Sequence, residues 1–124
     1  MDVTPMVPED RQVIQGYGDG GFRINGTVYE GSVLIFPGLT LDWSVTSFDE
    51  VTPETLQAIQ DRADQVEVLL LGCGTSMQLV TRGLRDPLRA QGIVIEPMDT
   101  GAACRTYNVL VAEERRVAAA LIAV

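Results

Sequence analysis

The sequence predicts an α/β domain that begins with antiparallel hairpins and continues with alternating strands and helices. The first observation is the dipeptide Asn25-Gly26, a strong signal for a tight hairpin because both turn residues adopt positive φ. The second is the nearly continuous apolar run at residues 67–71, typical of a strand covered on both faces. The third is a helix signal on each side of that run: Thr52-Pro53 starts one predicted helix before it, and Gly92 ends another after it.

The first third of the chain predicts short strands separated by turns. A glycine cluster around Asp19 indicates a turn between the first two strands. Gly31 is predicted to be a bulge within the strand that returns from the hairpin. The predicted strands cover residues 12–17, 22–24, 27–36 and 39–43.

The remaining two thirds predict helices and strands in alternation. Thr52 is the expected N-cap of the first helix, and Pro53 sits at its first position, where no N–H is needed. Thr100 is the expected cap of the last helix, and a final strand closes the chain. The predicted helices are 52–64, 83–91 and 100–113, and the strands are 67–71, 93–96 and 116–123. The strands at 67–71 and 93–96 are expected to be parallel partners in a right-handed βαβ unit.

The chain of 124 residues has the length of one domain. We expect a flexible N-terminal tail at residues 1–11 and a single α/β domain at 12–124. The opening residues do not resemble a secretion signal, and the apolar run at 117–124 is too short to span a bilayer. The sequence therefore predicts a soluble, cytoplasmic protein that does not insert into a membrane.

The charge pattern excludes several classes of chemistry. Seventeen acidic residues stand against nine basic ones, all of them arginine, and the net charge is −8 with no histidine. Without lysine or histidine, the chain has no Schiff-base lysine, no histidine general base and no histidine metal ligand. The negative charge also repels nucleic-acid phosphates. We therefore expect no metal, no cofactor, no nucleic-acid partner and no catalytic residue set.

The carboxyl ends of the two parallel strands are expected to bring the loops 72–76 and 98–103 to one rim of the sheet, where ligands of α/β folds bind. Free N–H groups at residues 101–103 would attract an anion, and Arg105 would add a guanidinium. In the alternative interpretation the glycines only permit tight turns and Arg105 pairs with a carboxylate. The candidate binding residues are Gly72, Cys73, Gly74, Thr75, Thr100, Gly101, Arg105, Thr106 and Asn108.

The cysteines and an asparagine near this rim are further features of the sequence. Cys73 and Cys104 are either a redox-active pair or two small, partly buried residues. Asn108, in the middle of the last helix, is expected to bond to a neighbouring loop, while Tyr107 packs on the sheet.

The tail of the chain carries a motif at residues 98–108, MDTGAACRTYN, followed by Glu113 and by RVAAAL at 116–121. It resembles the small-domain family that contains assembly factor 3 of mitochondrial respiratory complex I and bacterial relatives. The loop 71–75, LGCGT, is similar to that family's Gly-x-Gly turn. The resemblance covers nearly the whole chain after the first ten residues, and the absence of a transit peptide fits a bacterial member.

The resemblance implies a three-layer β/β/α fold, with a mixed central sheet, helices on one side and a smaller antiparallel hairpin sheet on the other. It implies no accepted catalytic residue and no known cofactor. It also implies a binding role, since the mitochondrial relative acts by binding assembly intermediates. We therefore predict a protein-binding domain, an assembly or accessory factor for a membrane respiratory complex. The alternative is a small-anion or metabolite-binding protein or enzyme that uses the rim of loops 72–76 and 98–105. A protein partner is expected but not identified, and homo-oligomer formation stays open.

Overall fold

The computed structural model describes residues 11–124, which form two sheets and three α-helices. Residues 1–10 of the predicted tail lie outside the described residues. The helices are α1 (Gln57–Gln60), α2 (Arg82–Arg89) and α3 (Thr100–Ala112). The strands are β1 (Ile14–Gly18), β2 (Gly21–Ile24), β3 (Thr27–Glu30), β4 (Ser32–Phe36), β5 (Leu39–Trp43), β6 (Val68–Gly72), β7 (Val94–Met98) and β8 (Val117–Leu121).

The smaller sheet is antiparallel, in the order β1-β2-β3, and it confirms the predicted hairpin. Asn25 and Gly26 have φ values of 49° and 82°, as a two-residue turn with both residues in the left-handed region requires. The turn places Ile24 opposite Thr27 and so sets the register of β2 against β3.

The prediction of a single strand at 27–36 is wrong, because Gly31 separates two strands, β3 and β4. Gly31 has a φ of 84°, which redirects the backbone between β3 and β4 rather than forming a bulge. The two halves therefore enter different sheets: β3 pairs with β2, and β4 pairs with β5 and β8.

The larger sheet is mixed, in the order β5-β4-β8-β6-β7. β6 is parallel to both β7 and β8, as predicted for its partner β7, and β4 is antiparallel to β8. The final strand is confirmed, and its three alanines (Ala118, Ala119, Ala120) are fully buried at the centre of the sheet. The predicted mixed central sheet and smaller antiparallel sheet are thus confirmed.

The predicted helix at 52–64 is shorter than expected. α1 covers four residues, and 3₁₀ turns flank it at Glu54–Leu56 and Ala63–Gln65. The buried residues Leu56 and Ile59 are three positions apart, a spacing that a 3₁₀ turn places on one face. Burial of this pair therefore does not require a long α-helix.

The helices lie on both faces of the central sheet, which corrects the predicted layer order. Leu69 and Leu71 of β6 join a core cluster with α1 and α2, whereas Leu70 joins a second cluster with α3 and the small sheet. The chain steps outward from β6 to β7 and then returns past β6 to β8. Crossovers between parallel strands are right-handed as a rule, so two that run in opposite directions across the sheet put their helices on opposite faces, as seen for α2 and α3.

Candidate functional site

Thr100 lies where the loops after β6 and β7 meet, at the rim predicted from the sequence. Its side chain is fully buried. Its backbone N–H donates to the Gly74 carbonyl at 2.8 Å, and the Gly74 N–H donates to Thr100 Oγ1 at 3.0 Å. The same hydroxyl donates to the Ile122 carbonyl at 2.7 Å. Thr100 therefore joins the segments that follow β6, β7 and β8.

The glycines of this rim serve close packing and turn geometry. A Cβ on Gly72 would lie 3.1 Å from both Cα and Oγ1 of Thr100, and Gly74 has a φ of 101°. Gly72 therefore allows the end of β6 to approach the start of α3, whereas Gly74, where a Cβ would meet no atom within 4 Å, supplies the positive φ of the turn. This geometry favours the turn interpretation of the Gly72–Gly74 pattern.

The start of α3 is capped by Asp99, not by Thr100 as predicted. The Asp99 carboxylate Oδ1 accepts from the Ala102 N–H at 2.8 Å, and the Ala103 N–H donates to the Asp99 carbonyl at 3.0 Å. The expectation that the N–H groups of residues 101–103 are free for an anion is therefore wrong for two of the three. The carboxylate itself also opposes an anion at this position.

Arg105 contacts a tyrosine rather than a carboxylate. Its Nη1 donates to the Tyr17 hydroxyl at 3.1 Å, and that hydroxyl lies over Gly101, where a Cβ would come within 2.5 Å of it. Within residues 11–124, Arg105 makes no ion pair. Gly101 is thus the place where β1 touches the first turn of α3.

Asn108 holds α3 against β1. Its Nδ2 donates to the Ile14 carbonyl at 2.7 Å, and its Oδ1 accepts from the Ile14 N–H at 2.9 Å. Tyr107, fully buried, donates its hydroxyl to the Gln12 carbonyl at 3.0 Å. Asn108 therefore bonds to backbone as predicted, although its partner is the first strand rather than a loop. Thr106 is half-buried on the same helix.

The nine candidate residues do not form one site. Cys73, Gly74 and Thr75 line an open groove of about 470 Å³ on the face of α1 and α2. Arg105 and Asn108 line a separate cavity of about 160 Å³ on the face of α3. The strands of the central sheet separate the two.

The two cysteines also lie on opposite faces of the sheet. Cys73 belongs to the core cluster with α2, and Cys104 belongs to the cluster with α3. Burial raises the pKa of the Cys73 thiol, and it raises the pKa of Cys104 to about 12 even though the Arg105 charge lowers it. Both thiols are therefore protonated at neutral pH, and their placement favours the packing interpretation over a redox pair.

Sequence reasoning missed an exposed apolar stretch, the 75–80 loop between β6 and α2. Met77 is 55% exposed and Leu79 is 83% exposed. Thr75 and Gln78 of this loop also line the groove of about 470 Å³, together with Phe48. The signal in the sequence is Met77 and Leu79 in a segment without helix or strand periodicity.

Comparison with known proteins gives matches along nearly the whole described chain. Residues 14–122 match the model of a family described as "Protein of unknown function (DUF498/DUF598)". An uncharacterized protein of Rhodobacter capsulatus is 44% identical over 109 residues, covering 88% of this chain and 82% of its own length.

Eukaryotic relatives are also similar. The NADH dehydrogenase [ubiquinone] 1 alpha subcomplex assembly factor 3 of Danio rerio is 37% identical over 110 residues, covering 89% of this chain. The protein of the same name from Homo sapiens is 30% identical over 109 residues, covering 88% of this chain. The chain spans only 63% and 59% of the length of these two relatives.

Solved structures confirm the fold class. The crystal structure of an outer membrane protein from Bartonella henselae has a TM-score of 0.86 and 38% identity, covering 93% of this chain and 97% of that one. The solution structure of a Bordetella pertussis protein described as a Mth938-like domain has a TM-score of 0.84 and 30% identity, covering 98% and 92%. Between residues 11 and 124, no helix is both long and apolar enough to cross a bilayer.

Proposed function

We propose a function on the premise that this chain belongs to the DUF498/DUF598 family, whose model spans residues 14–122. The chain binds a partner protein in the cytoplasm, as an assembly or accessory factor for a membrane-bound respiratory complex. Support comes from the relatives named as assembly factors of NADH dehydrogenase, which align with 88–89% of this chain. The role of those longer proteins is carried over only as this proposal.

The exposed 75–80 loop is the observation that carries the proposal. Contiguous exposed apolar surface is typical of protein interaction sites, and Met77 and Leu79 lie in the same loop as Thr75 and Gln78, which line the groove. Leu79 is 83% exposed, and burial of such a side chain at an interface contributes about 1.5–3 kcal/mol. The neighbouring groove of about 470 Å³, lined in part by Phe48 and Ile122, offers further apolar surface to the same partner.

The rim has weaker support as a metabolite or catalytic site. The side chains of Thr100 and Asn108 are already hydrogen-bonded to backbone carbonyls. Neighbouring atoms occupy the space beside Gly72 and Gly101, which leaves no room there for a ligand. In the described part of the chain, no three His, Cys, Asp or Glu side chains are grouped so as to hold a metal ion. Protein binding through the loop is therefore the better-supported function.

The test is affinity capture of the tagged protein from the host of origin, in soluble and detergent-solubilised membrane fractions. The wild type is compared with Met77→Ser/Leu79→Ser, and the matched control is Val109→Ser, an exposed apolar residue on α3. We expect subunits or assembly proteins of a respiratory complex to co-purify with the wild type and the control. The loop variant should capture at least tenfold less.

Two results would contradict the proposal. One is the absence of any stoichiometric partner from both fractions of the wild type. The other is equal capture by the wild type and the loop variant, which would remove the loop from the interaction. Circular dichroism of each variant establishes that a loss of capture does not come from unfolding.

A further inference from the structure

We infer that the partner is recognised by charge as well as by apolar contact, an inference that rests on the proposed function. The arginine face of α2, formed by Arg82, Arg85 and Arg89, adjoins the 75–80 loop. Together they form a docking surface for an acidic segment of a partner protein that also presents an apolar side chain.

The three arginines share one side of a helix whose orientation is fixed by packing. Their spacing of three and four residues places them within about 60° of one another around the helix axis and along about 10 Å of its length. Leu84 and Leu88 are buried at 6% and 0% exposure and hold the other side of α2 against the core. The guanidinium groups are therefore presented by a helix that packing keeps in place.

These arginines have no acidic partner within the described chain. The ion pairs between residues 11 and 124 join Arg115 and Arg116 to Glu67, at 3.0 Å and 3.8 Å, and none involves α2. Two exposed carboxylates, Asp86 and Glu96, lie on α2 and on β7 beside it, but neither pairs with this face. A chain of net charge −8 thus keeps three of its nine cations together, and no carboxylate of residues 11–124 pairs with them.

The basic and apolar parts of the surface are neighbours along the chain. Leu79 precedes Arg82 by three residues, so their Cα atoms are at most about 11 Å apart. Thr81, between them, is the N-cap residue that precedes α2. Large apolar side chains and arginine are both enriched at protein interfaces. The guanidinium group of arginine can bind a partner's carboxylate with two hydrogen bonds.

The charge of the whole chain argues for an acidic protein segment rather than a phosphate-rich surface. An anionic bilayer or a nucleic acid presents many charges and would be repelled by the seventeen acidic residues elsewhere in the chain. A short segment can present two or three carboxylates to the arginines alone. Complementary charge at such a contact also selects the partner against other proteins.

The test places the photocrosslinking residue p-benzoylphenylalanine at position 79 of the full chain in the host of origin, with position 109 as the control site. Crosslinked peptides are identified by mass spectrometry. We expect position 79 to capture a protein segment with at least three Asp or Glu within about ten residues and one large apolar residue. The yield at position 79 should fall at least tenfold in Arg82→Glu/Arg85→Glu/Arg89→Glu.

Two matched variants separate the arginine face from general effects of charge. Arg82→Lys/Arg85→Lys/Arg89→Lys keeps the charge and should retain a substantial part of the crosslinking yield. Arg23→Glu reverses an exposed arginine on the small sheet and should leave the yield unchanged. Thermal unfolding of every variant shows whether the fold is retained.

Several outcomes would overturn the inference. They are a captured segment without an acidic excess, an unchanged yield in the glutamate variant, a crosslink to lipid, or no crosslink at position 79. If affinity capture is lost in the loop variant but kept in the glutamate variant, the proposed function stands and this inference fails. If the wild type captures no partner in either assay, both fail.

Discussion

Thr100 shows how much one buried hydroxyl contributes to this fold. It donates to the Ile122 carbonyl and accepts from the Gly74 N–H, so it joins segments that are distant in the sequence. We expect Thr100→Val, which has nearly the same shape, to lower the free energy of unfolding by about 2–4 kcal/mol, because two polar groups lose their partner. Urea denaturation measures the change. Thr106→Val, half-buried on the same helix, should change it by less than about 1 kcal/mol.

Cys104 gives the protein a stability that decreases in alkaline solution. Its pKa is raised from an ordinary value of 9.0 to about 12 by burial, so the unfolded chain loses this proton first. The free energy of unfolding should therefore be fully maintained below pH 9 and fall by about 1.4 kcal/mol per pH unit between pH 9 and pH 12. Burial also raises the pKa of Tyr107, which adds to the fall above pH 10.

The measurement is urea denaturation at pH 8, 9, 10 and 11 for the wild type and Cys104→Ala. The alanine variant loses packing at every pH, but its stability should decrease less steeply from pH 9 upward. Equal slopes in the two proteins would show that the buried thiol does not titrate in this way.

At the scale of elements, the small sheet depends on the close approach of β2 and β3 at Gly21. A Cβ on Gly21 would lie well inside contact distance of the Tyr29 carbonyl oxygen, which belongs to a paired strand and cannot move away easily. We expect Gly21→Ala to cost about 2 kcal/mol or more, and so to lower the melting temperature by roughly 8 °C. Gly16→Ala, on β1 of the same sheet, meets no atom within 4 Å and should shift it by less than about 4 °C.

Elements with local signals could be predicted from the sequence, whereas elements set by distant contacts could not. Asn25-Gly26 determines a hairpin because the turn geometry belongs to two residues. The end of β3 at Gly31 depends on the pairing of β4 with β8, which lies more than eighty residues later in the chain. No sequence pattern near Gly31 indicates this pairing. The face occupied by α3 likewise follows from the strand order, in which β8 lies on the other side of β6 from β7.

The candidate site was predictable to the same extent. Parallel pairing of β6 and β7 correctly brought Gly74 and Thr100 together. The separation of the candidate residues between two faces of the sheet was not predictable. The alternation of side chains between the two faces holds within a strand, and it cannot be extended through an irregular loop. Nor was the exposure of Leu79, since an apolar residue in a loop is buried or exposed according to its distant neighbours.

At the scale of the whole molecule, the two core clusters share their strands. Leu69 and Leu71 of β6 face one cluster and Leu70 faces the other, and Ala118–Ala120 of β8 alternate in the same way. We expect residues 12–124 to unfold in one cooperative transition, as the predicted single domain requires. Neither cluster can lose its strands without exposing the other.

The fluorescence of Trp43, the chain's one tryptophan, reports the first cluster, and hydrogen exchange of the Tyr107 amide reports the second. Both should give the same free energy of unfolding within about 1 kcal/mol. Two separate transitions, or a Tyr107 amide that exchanges through a much smaller opening, would divide the chain into independent units.

The amide of Asn108 has a consequence for self-association. Its two hydrogen bonds to Ile14 occupy the place where another strand would add to the outer side of β1, so a helix side chain ends that row of backbone bonds. β3, the other outermost strand of the small sheet, has no such cover from the described residues. Growth of β structure from one molecule to the next is thus blocked at Ile14 by a single side chain. Asn108→Ala should therefore form aggregates under agitation faster than Thr106→Ala, as followed by light scattering.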